Sequence, residues 1–532
     1  MNSPEILQSR VFDESGRELK GLELHVDHRE SARQLTLIKQ SGASAKPKRV
    51  DLLLDQQATQ MIEQGWQSWS TVRRSSPSDI RRARAAAPRW YRAEMMAQPS
   101  DAGRRVIADG FINTDAGLLG VVEPSGPLAS FSVDEQASIT LSFDLESHPL
   151  ELGESLRLGT LYGDDLHDQV AKAAARNDGP SLLGWCSWYQ YFAEVTPAHI
   201  RANMSLANQH GLDLVQIDDG WQREIGIWDQ QSDQFDVPIE SLAKEIGELG
   251  MRAGIWTAPF LATAGGELAR RHPEWLLREA HGMPRVALQH FGWGGEAGRV
   301  FALDTTREDV LDHLRETYAK LRAKGFSYFK IDFLFAAAID GLRQGGDRVL
   351  RQEALRMGLA AIREGIGEDA FLLGCGSPLV AAVGLVDAMR VSEDVAPYWQ
   401  PRLYPPGFPE SSVGCRNAVE QSALRAEMHR RWWINDPDCL LLRPSDTQLN
   451  EHERAVLTDA ILGIGAYCVL SDDLSLYGSP EWAEVERIRE LIPQLDKPLS
   501  IPDPFATPLS VEGPHHRLDI DWESPKARLA LH

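Results

Sequence analysis

The spacing of apolar positions changes along this 532-residue chain, and the changes divide it into three stretches. Up to about residue 160 the runs are short and alternating. Ile139, Leu141, Phe143 and Leu145 share one face at period two, the pattern of a half-buried strand. These runs predict an N-terminal β-sandwich domain over residues 1–176. From Asp164 the period becomes helical through Val170 and Ala173 to Ala175. Asn177, Asp178, Gly179 and Pro180 then stop it, which sets the boundary.

Beyond the boundary, short apolar runs ending in polar or aromatic residues recur, with helical stretches between them. They are Leu182 to Trp188, Leu214 to Trp221, Ala253 to Phe260, Tyr328 to Phe335, Phe371 to Gly376, Ala388 to Asp394, Trp432 to Asp438 and Tyr467 to Asp473. Eight β-then-α units predict a catalytic (β/α)8 (TIM) barrel over residues 177–496, with its working residues at the C-terminal strand ends. An insertion from Pro284 to Gly298 interrupts the spacing. A helix from Pro480 to Leu495 closes the barrel, and Leu518, Ile520 and Trp522 alternate in a small C-terminal β-element over 497–532.

Composition narrows the partners. A net charge of −22 disfavours nucleic acid and anionic membrane, since both bind through basic surface, and a neutral small molecule fits better. The basic run from Arg73 through Arg81, Arg82 and Arg84 to Arg92 reads as a solvated loop. Met1 to Lys20 has no apolar core, and no segment reaches membrane-spanning length, so neither a secretory signal nor an anchor is expected. Cys186, Cys375, Cys415, Cys439 and Cys468 form no CxxC pair and are odd in number, which suits reduced thiols and a cytoplasmic location. The sequon at Asn203 reads as accidental.

The chemistry gathers at predicted strand ends. The second run ends Ile217-Asp218-Asp219-Gly220-Trp221, where an acid also commonly caps the helix that follows. In Phe329-Lys330-Ile331-Asp332-Phe333, Lys330 and Asp332 project to one side of the strand, as catalytic groups or as a buried ion pair. Arg390, Ser392 and Asp394 share a face in the sixth run by the same period. Acids converging on one cleft repel one another unless a task or a cation offsets the cost. Two carboxylates across a sugar-sized gap are the equipment of glycoside hydrolysis. Trp66, Trp69, Trp185, Trp188, Trp221 and Trp256 offer flat faces for sugar C–H groups, although a single Trp is more often core.

The strings GWCSWY (184–189), QIDDGW (216–221), GIWTAPF (254–260), YFKIDFLF (328–335), LGCGSPL (373–379) and NDPDCLLLR (435–443), with GWQSWS (65–70) before the barrel, resemble glycoside hydrolase family 36 and its shorter bacterial α-galactosidases. The resemblance implies a multidomain chain: N-terminal β-supersandwich, central TIM barrel and small C-terminal β-domain, with double displacement and no cofactor or metal. Asp332 is similar to the family nucleophile and Asp394 to its acid/base. Asp218 and Asp219 are similar to the acids receiving O4 and O6 of a terminal galactose, with Lys330, Cys375 and Arg390 reaching other hydroxyls and Trp66, Tyr189 and Trp256 shaping the walls. Ser392 and Glu393 depart from the family pattern, which expects Gly and a less charged residue there. An added acid beside Asp394 either raises its pKa or points away.

The expected activity is hydrolysis of terminal α-galactosides of the melibiose or raffinose kind by a monomer or small homo-oligomer, the two carboxyls standing roughly 5 to 6 Å apart as retention requires. Alternatives are an α-N-acetylgalactosaminidase or a transglycosylase on the same scaffold. Further off stand a metal-dependent barrel enzyme using Asp218, Asp219, Asp332 and Asp394 as ligands with Lys330 as base, and a non-catalytic sugar-binding protein.

Overall fold

A computed structural model of the protein describes residues 4–29, 32–77, 108–174, 178–403 and 412–532. The N-terminal region is two stacked antiparallel sheets, one of five strands and one of seven. The predicted period-two segment is the strand Ser138–Asp144, whose burial alternates as the pattern requires. Leu35, Leu37, Leu52, Phe131, Leu141 and Phe143 form a core between the sheets that is separate from the barrel's. Ile62, Trp66, Phe111 and Leu118, by contrast, pack into the barrel's own core, so the seven-stranded sheet is the face that docks.

Eight parallel strands make the barrel: Leu183–Cys186, Leu214–Ile217, Arg252–Thr257, Tyr328–Ile331, Phe371–Gly374, Ala388–Arg390, Ile434–Asp436 and Cys468–Leu470. Each lies inside or overlaps one of the eight predicted runs. A single bridge between Leu440 and Leu470 nearly closes the ring. Every strand stops short of the polar end of its run, because the polar residues sit in the loop just above the ladder. The sixth run shows why: Ala388–Arg390 pairs with Ile434–Asp436, and the partner then reaches Pro437, which has no N–H to continue the ladder. Asp394 therefore lies beyond the strand rather than on its face.

Helices separate the strands, from the four residues of Leu379–Ala382 to the 16 of Arg351–Ile366, and two of them carry clear start signals. Pro197–Gln209 starts with Pro after Thr196, whose side chain accepts the His199 N–H, and Glu451–Ile464 opens with an Asn450/Glu453 capping box. The C-terminal strands Leu509–Gly513, His516–Asp521 and Lys526–Leu531 form an antiparallel sheet, with Leu518 and Ile520 in the barrel core. Arg74 reaches across from the N-terminal region to lie over the Trp522 ring and donates to the carbonyls of Pro504 and Ala506. Arg81, Arg82, Arg84 and Arg92 of the basic run lie outside the described residues.

Asn203 is fully buried and bonds Tyr191, His199 and Leu474, so the sequon is a structural joint. All five cysteines are buried and unpaired. Among the described residues no helix is long and apolar enough to cross a membrane.

Candidate active site

Strand two delivers Asp218 and Asp219 in opposite senses. Asp218 is buried and accepts from Lys330 Nζ at 2.9 Å and from Gln216 Nε2 at 2.5 Å, while its backbone N–H is held by Ser187 Oγ. Asp219 accepts from Gln222 Nε2 at 2.5 Å and from the Trp293 indole N–H at 2.7 Å. Burial raises the Asp219 pKa and the neighbouring Asp218 charge adds to the rise, while the Trp293 and Gln222 bonds oppose it. Burial works against a charged Lys330, but the Asp218 contact outweighs it and the ammonium is held well above its ordinary pKa.

Strand four ends beneath Asp332. Its Oδ2 accepts from Trp256 Nε1 at 3.0 Å and its Oδ1 from the Phe333 N–H at 2.9 Å. Phe333 has φ of 57°, a left-handed turn that breaks the strand and leaves Asp332 at the rim. The Lys330 ammonium bonds Asp218 rather than Asp332, so the two strand ends are tied to each other. Among the described residues no three His, Cys, Asp or Glu side chains converge as a metal site needs.

Strand six supplies Arg390, which is shared among three acids: Asp436 at 3.1 Å, Asp438 at 2.7 Å and Asp394 at 3.2 Å. Asp394 keeps 46% of its side-chain surface exposed, whereas Asp438 keeps none. The protein around Asp394 and then the Asp438 charge push its carboxyl up to about 6; Arg390 and Lys330 pull the other way, and the Asp332 charge adds to the rise. Asp332 therefore lies near enough for its charge to act on Asp394.

Three more of the residues singled out in the sequence are buried. Tyr189 donates to Asp438, and its backbone N–H bonds Ser471 Oγ at 2.9 Å. Cys375 is buried, with the Trp69 indole donating to its sulfur at 2.8 Å; burial pushes the thiol well up. Trp66 packs edge-on against Phe335, with centroids 6.1 Å apart, and its buried indole N–H finds no acceptor among the described residues. Gly376 lets the Trp69 ring in: at φ 65° a side chain there would meet the indole at 2.9 Å.

The Trp66–Trp69 segment comes from the N-terminal region and is latched by Arg425, a fully buried guanidinium. Arg425 donates to the carbonyls of Gln64, Gln67 and Ser68 and to that of Val391 on the loop that carries Asp394. Glu393 lies beside this latch and points away from the cleft. Its Oε1 accepts from Thr71 at 2.8 Å, its backbone N–H bonds Gln421 Oε1, and burial pushes its carboxyl up to about 8. Ser392 is buried, with its hydroxyl directed at the Pro437 carbonyl.

Sequence reasoning had not singled out Asp436, Asp438, Trp293 or Arg425. The NDPD string was in view as part of the family resemblance, but neither of its acids had been given a role. Trp185 and Trp221 prove to be core: both are fully buried and donate to the carbonyls of Asp472 and Trp256.

A parallel eight-stranded barrel with acids at its strand ends is the architecture that barrel glycoside hydrolases use. The melibiase family model matches residues 157–348. The α-galactosidase AgaA of Geobacillus stearothermophilus is 30% identical over 181 residues, 32% of this chain and 23% of its own length. An Escherichia coli α-galactosidase is 26% identical over 123 residues, 22% of this chain and 17% of its own length. These alignments thus span less than a quarter of the curated relatives. The whole fold is matched by the Thermus thermophilus α-galactosidase TtGalA, solved with p-nitrophenyl α-D-galactopyranoside, at a TM-score of 0.70 and 26% identity over 93% of this chain and 97% of that one. AgaA itself superposes at 0.59 with 14% identity over 97% of this chain and 79% of that one, a likeness of fold. Over residues 157–348 the chain is similar to the melibiase family, and over nearly its whole length its fold is similar to that of solved family 36 α-galactosidases.

Proposed function

We propose that the protein is a retaining exo-α-galactosidase that removes terminal α-D-galactosyl residues from small oligosaccharides of the melibiose or raffinose kind. The observation that carries this reading is the unlike pair at one cleft: Asp394 is pushed up to about 6, while Asp332 has both oxygens held by N–H donors. An acid with a raised pKa can hold a proton to give, and a carboxylate fixed by donors can be aimed.

In the first step an Asp332 oxygen attacks the anomeric carbon, the glycosidic C–O bond breaks, and the departing oxygen takes the Asp394 proton. The product is a glycosyl ester on Asp332. Esterification removes the Asp332 charge, one of the influences raising Asp394, so Asp394 is a better carboxylate at that stage. It then takes a proton from water as the water oxygen displaces Asp332 from the anomeric carbon, and two inversions give net retention. Asp218, Asp219, Lys330, Arg390 and Cys375 are assigned to the sugar hydroxyls, and Trp66, Tyr189 and Trp256 to the walls. The buried unpaired cysteines favour a reducing, cytoplasmic compartment.

A panel of nitrophenyl α-glycosides tests the substrate. The account expects the galactoside to be cleaved fastest, with activity undiminished after exhaustive EDTA treatment. An inert galactoside, or EDTA loss restored by Mg²⁺, overturns it.

A further inference from the structure

Trp293 stands on the insertion between strands three and four, at the tip of a small antiparallel sheet made of Leu261–Thr263, Arg299–Ala302 and Val286–Gln289. Its neighbours Phe291, Gly292, Gly294 and Gly295 are exposed, Phe291 to 75%. Trp293 alone among them turns inward. Gly294 and Gly295 at φ 73° and 78° supply the reversal that lets it do so.

The inward ring stacks on His290 of its own insertion, centroids 4.1 Å apart, and makes three further contacts at the site. Its N–H meets Asp219 Oδ2 at 2.7 Å, its face tilts against Trp256 at 6.1 Å, and it lies edge-on to Phe333 at 5.0 Å. Trp256 in turn donates to Asp332. One indole therefore fixes an oxygen of Asp219 and braces the ring that orients Asp332. With Gln222 on the other oxygen, each Asp219 oxygen keeps a lone pair for a hydroxyl donor, in a direction set by those two bonds.

We infer that Trp293 is a specificity-determining residue: by aiming Asp219 and walling that end of the cleft, it sets the preference for a hexopyranoside bearing an exocyclic hydroxymethyl group over the same ring without it. The inference rests on the α-galactosidase reading, in which Asp219 meets the O4–O6 side of the sugar. A site built to bond a hydroxyl discriminates strongly against an analogue lacking it, because its buried polar groups are left unpaired.

The matched pair of probes is p-nitrophenyl α-D-galactopyranoside and p-nitrophenyl β-L-arabinopyranoside, which differ by loss of the C6 hydroxymethyl. The readout is the ratio of their kcat/KM values, in which the fraction of folded enzyme cancels. In Trp293→Phe, which keeps a ring and loses the N–H, the ratio should fall more than about fivefold. Trp293→Leu should lower it at least as far and serves as the second variant. Ratios within about fivefold of wild type, whatever the absolute losses, overturn the inference. A wild-type enzyme inert toward the galactoside would instead overturn the functional reading beneath it.

Discussion

The ends of strands four and six each present an aspartate to the same cleft, and they are built differently. Asp332 sits one residue past its strand and is buried, with an indole and a backbone N–H on its two oxygens. Asp394 sits in the loop beyond its strand with 46% of its side chain exposed, and it shares one guanidinium with two deeper acids. Donors surround the first, whereas competing acids surround the second. On the proposed reading the same residue type attacks in one place and holds a proton in the other, and the surrounding groups make the difference.

The sharpest way to break this contrast is to remove each acid in turn. Asp332→Ala should lower kcat by about 10⁴-fold or more on every substrate, since no leaving group compensates for a missing nucleophile. Asp394→Ala should cost about 10²- to 10⁴-fold on melibiose and far less on a nitrophenyl galactoside, whose leaving group needs little protonation. Equal losses on both substrates would show that Asp394 is not the acid. In the wild type the acid form of Asp394 is lost as pH rises through about 6, so kcat/KM on melibiose should fall on the alkaline side of that value.

Smaller effects test the shells. Arg425→Met leaves the carbonyls of Gln64, Gln67, Ser68 and Val391 without their donor and should cost about 3 kcal/mol or more by urea denaturation, with KM raised as the Trp66 wall loosens. Glu393→Gln should be the mildest change, because a carboxyl held at about 8 is mostly neutral at pH 7 and Gln copies its shape. The folded state raises this pKa from 4.5, so the wild type loses stability as pH climbs between 4.5 and about 8, and the penalty is complete above that. The melting temperature of Glu393→Gln relative to wild type should therefore be higher at pH 9 than at pH 5. A difference that does not change with pH would mean that Glu393 does not titrate in this range.

What the sequence made legible follows from where each residue sits. Lys330 and Asp332 were readable because two-residue periodicity inside a strand fixes the side on which a group emerges. The same rule, carried past Arg390, placed Ser392 and Asp394 on a strand face. The ladder ends at the neighbour's Pro437, however, and loop geometry takes over. Glu393 was legible as an oddity but not in direction; its turn toward Thr71 depends on a domain contact more than 300 residues away in sequence. Arg425 looks like an ordinary basic residue after a helix, and only the docked N-terminal segment gives it acceptors. Trp293 lies in a glycine-rich insertion whose path no local periodicity sets.

The proposed roles of the unlike pair imply double displacement, and the first-formed product reports it directly. Proton NMR of the galactose released in the first moments of hydrolysis should show the α-anomer ahead of mutarotation. The β-anomer appearing first would contradict the assignment of Asp332 as nucleophile and Asp394 as acid/base.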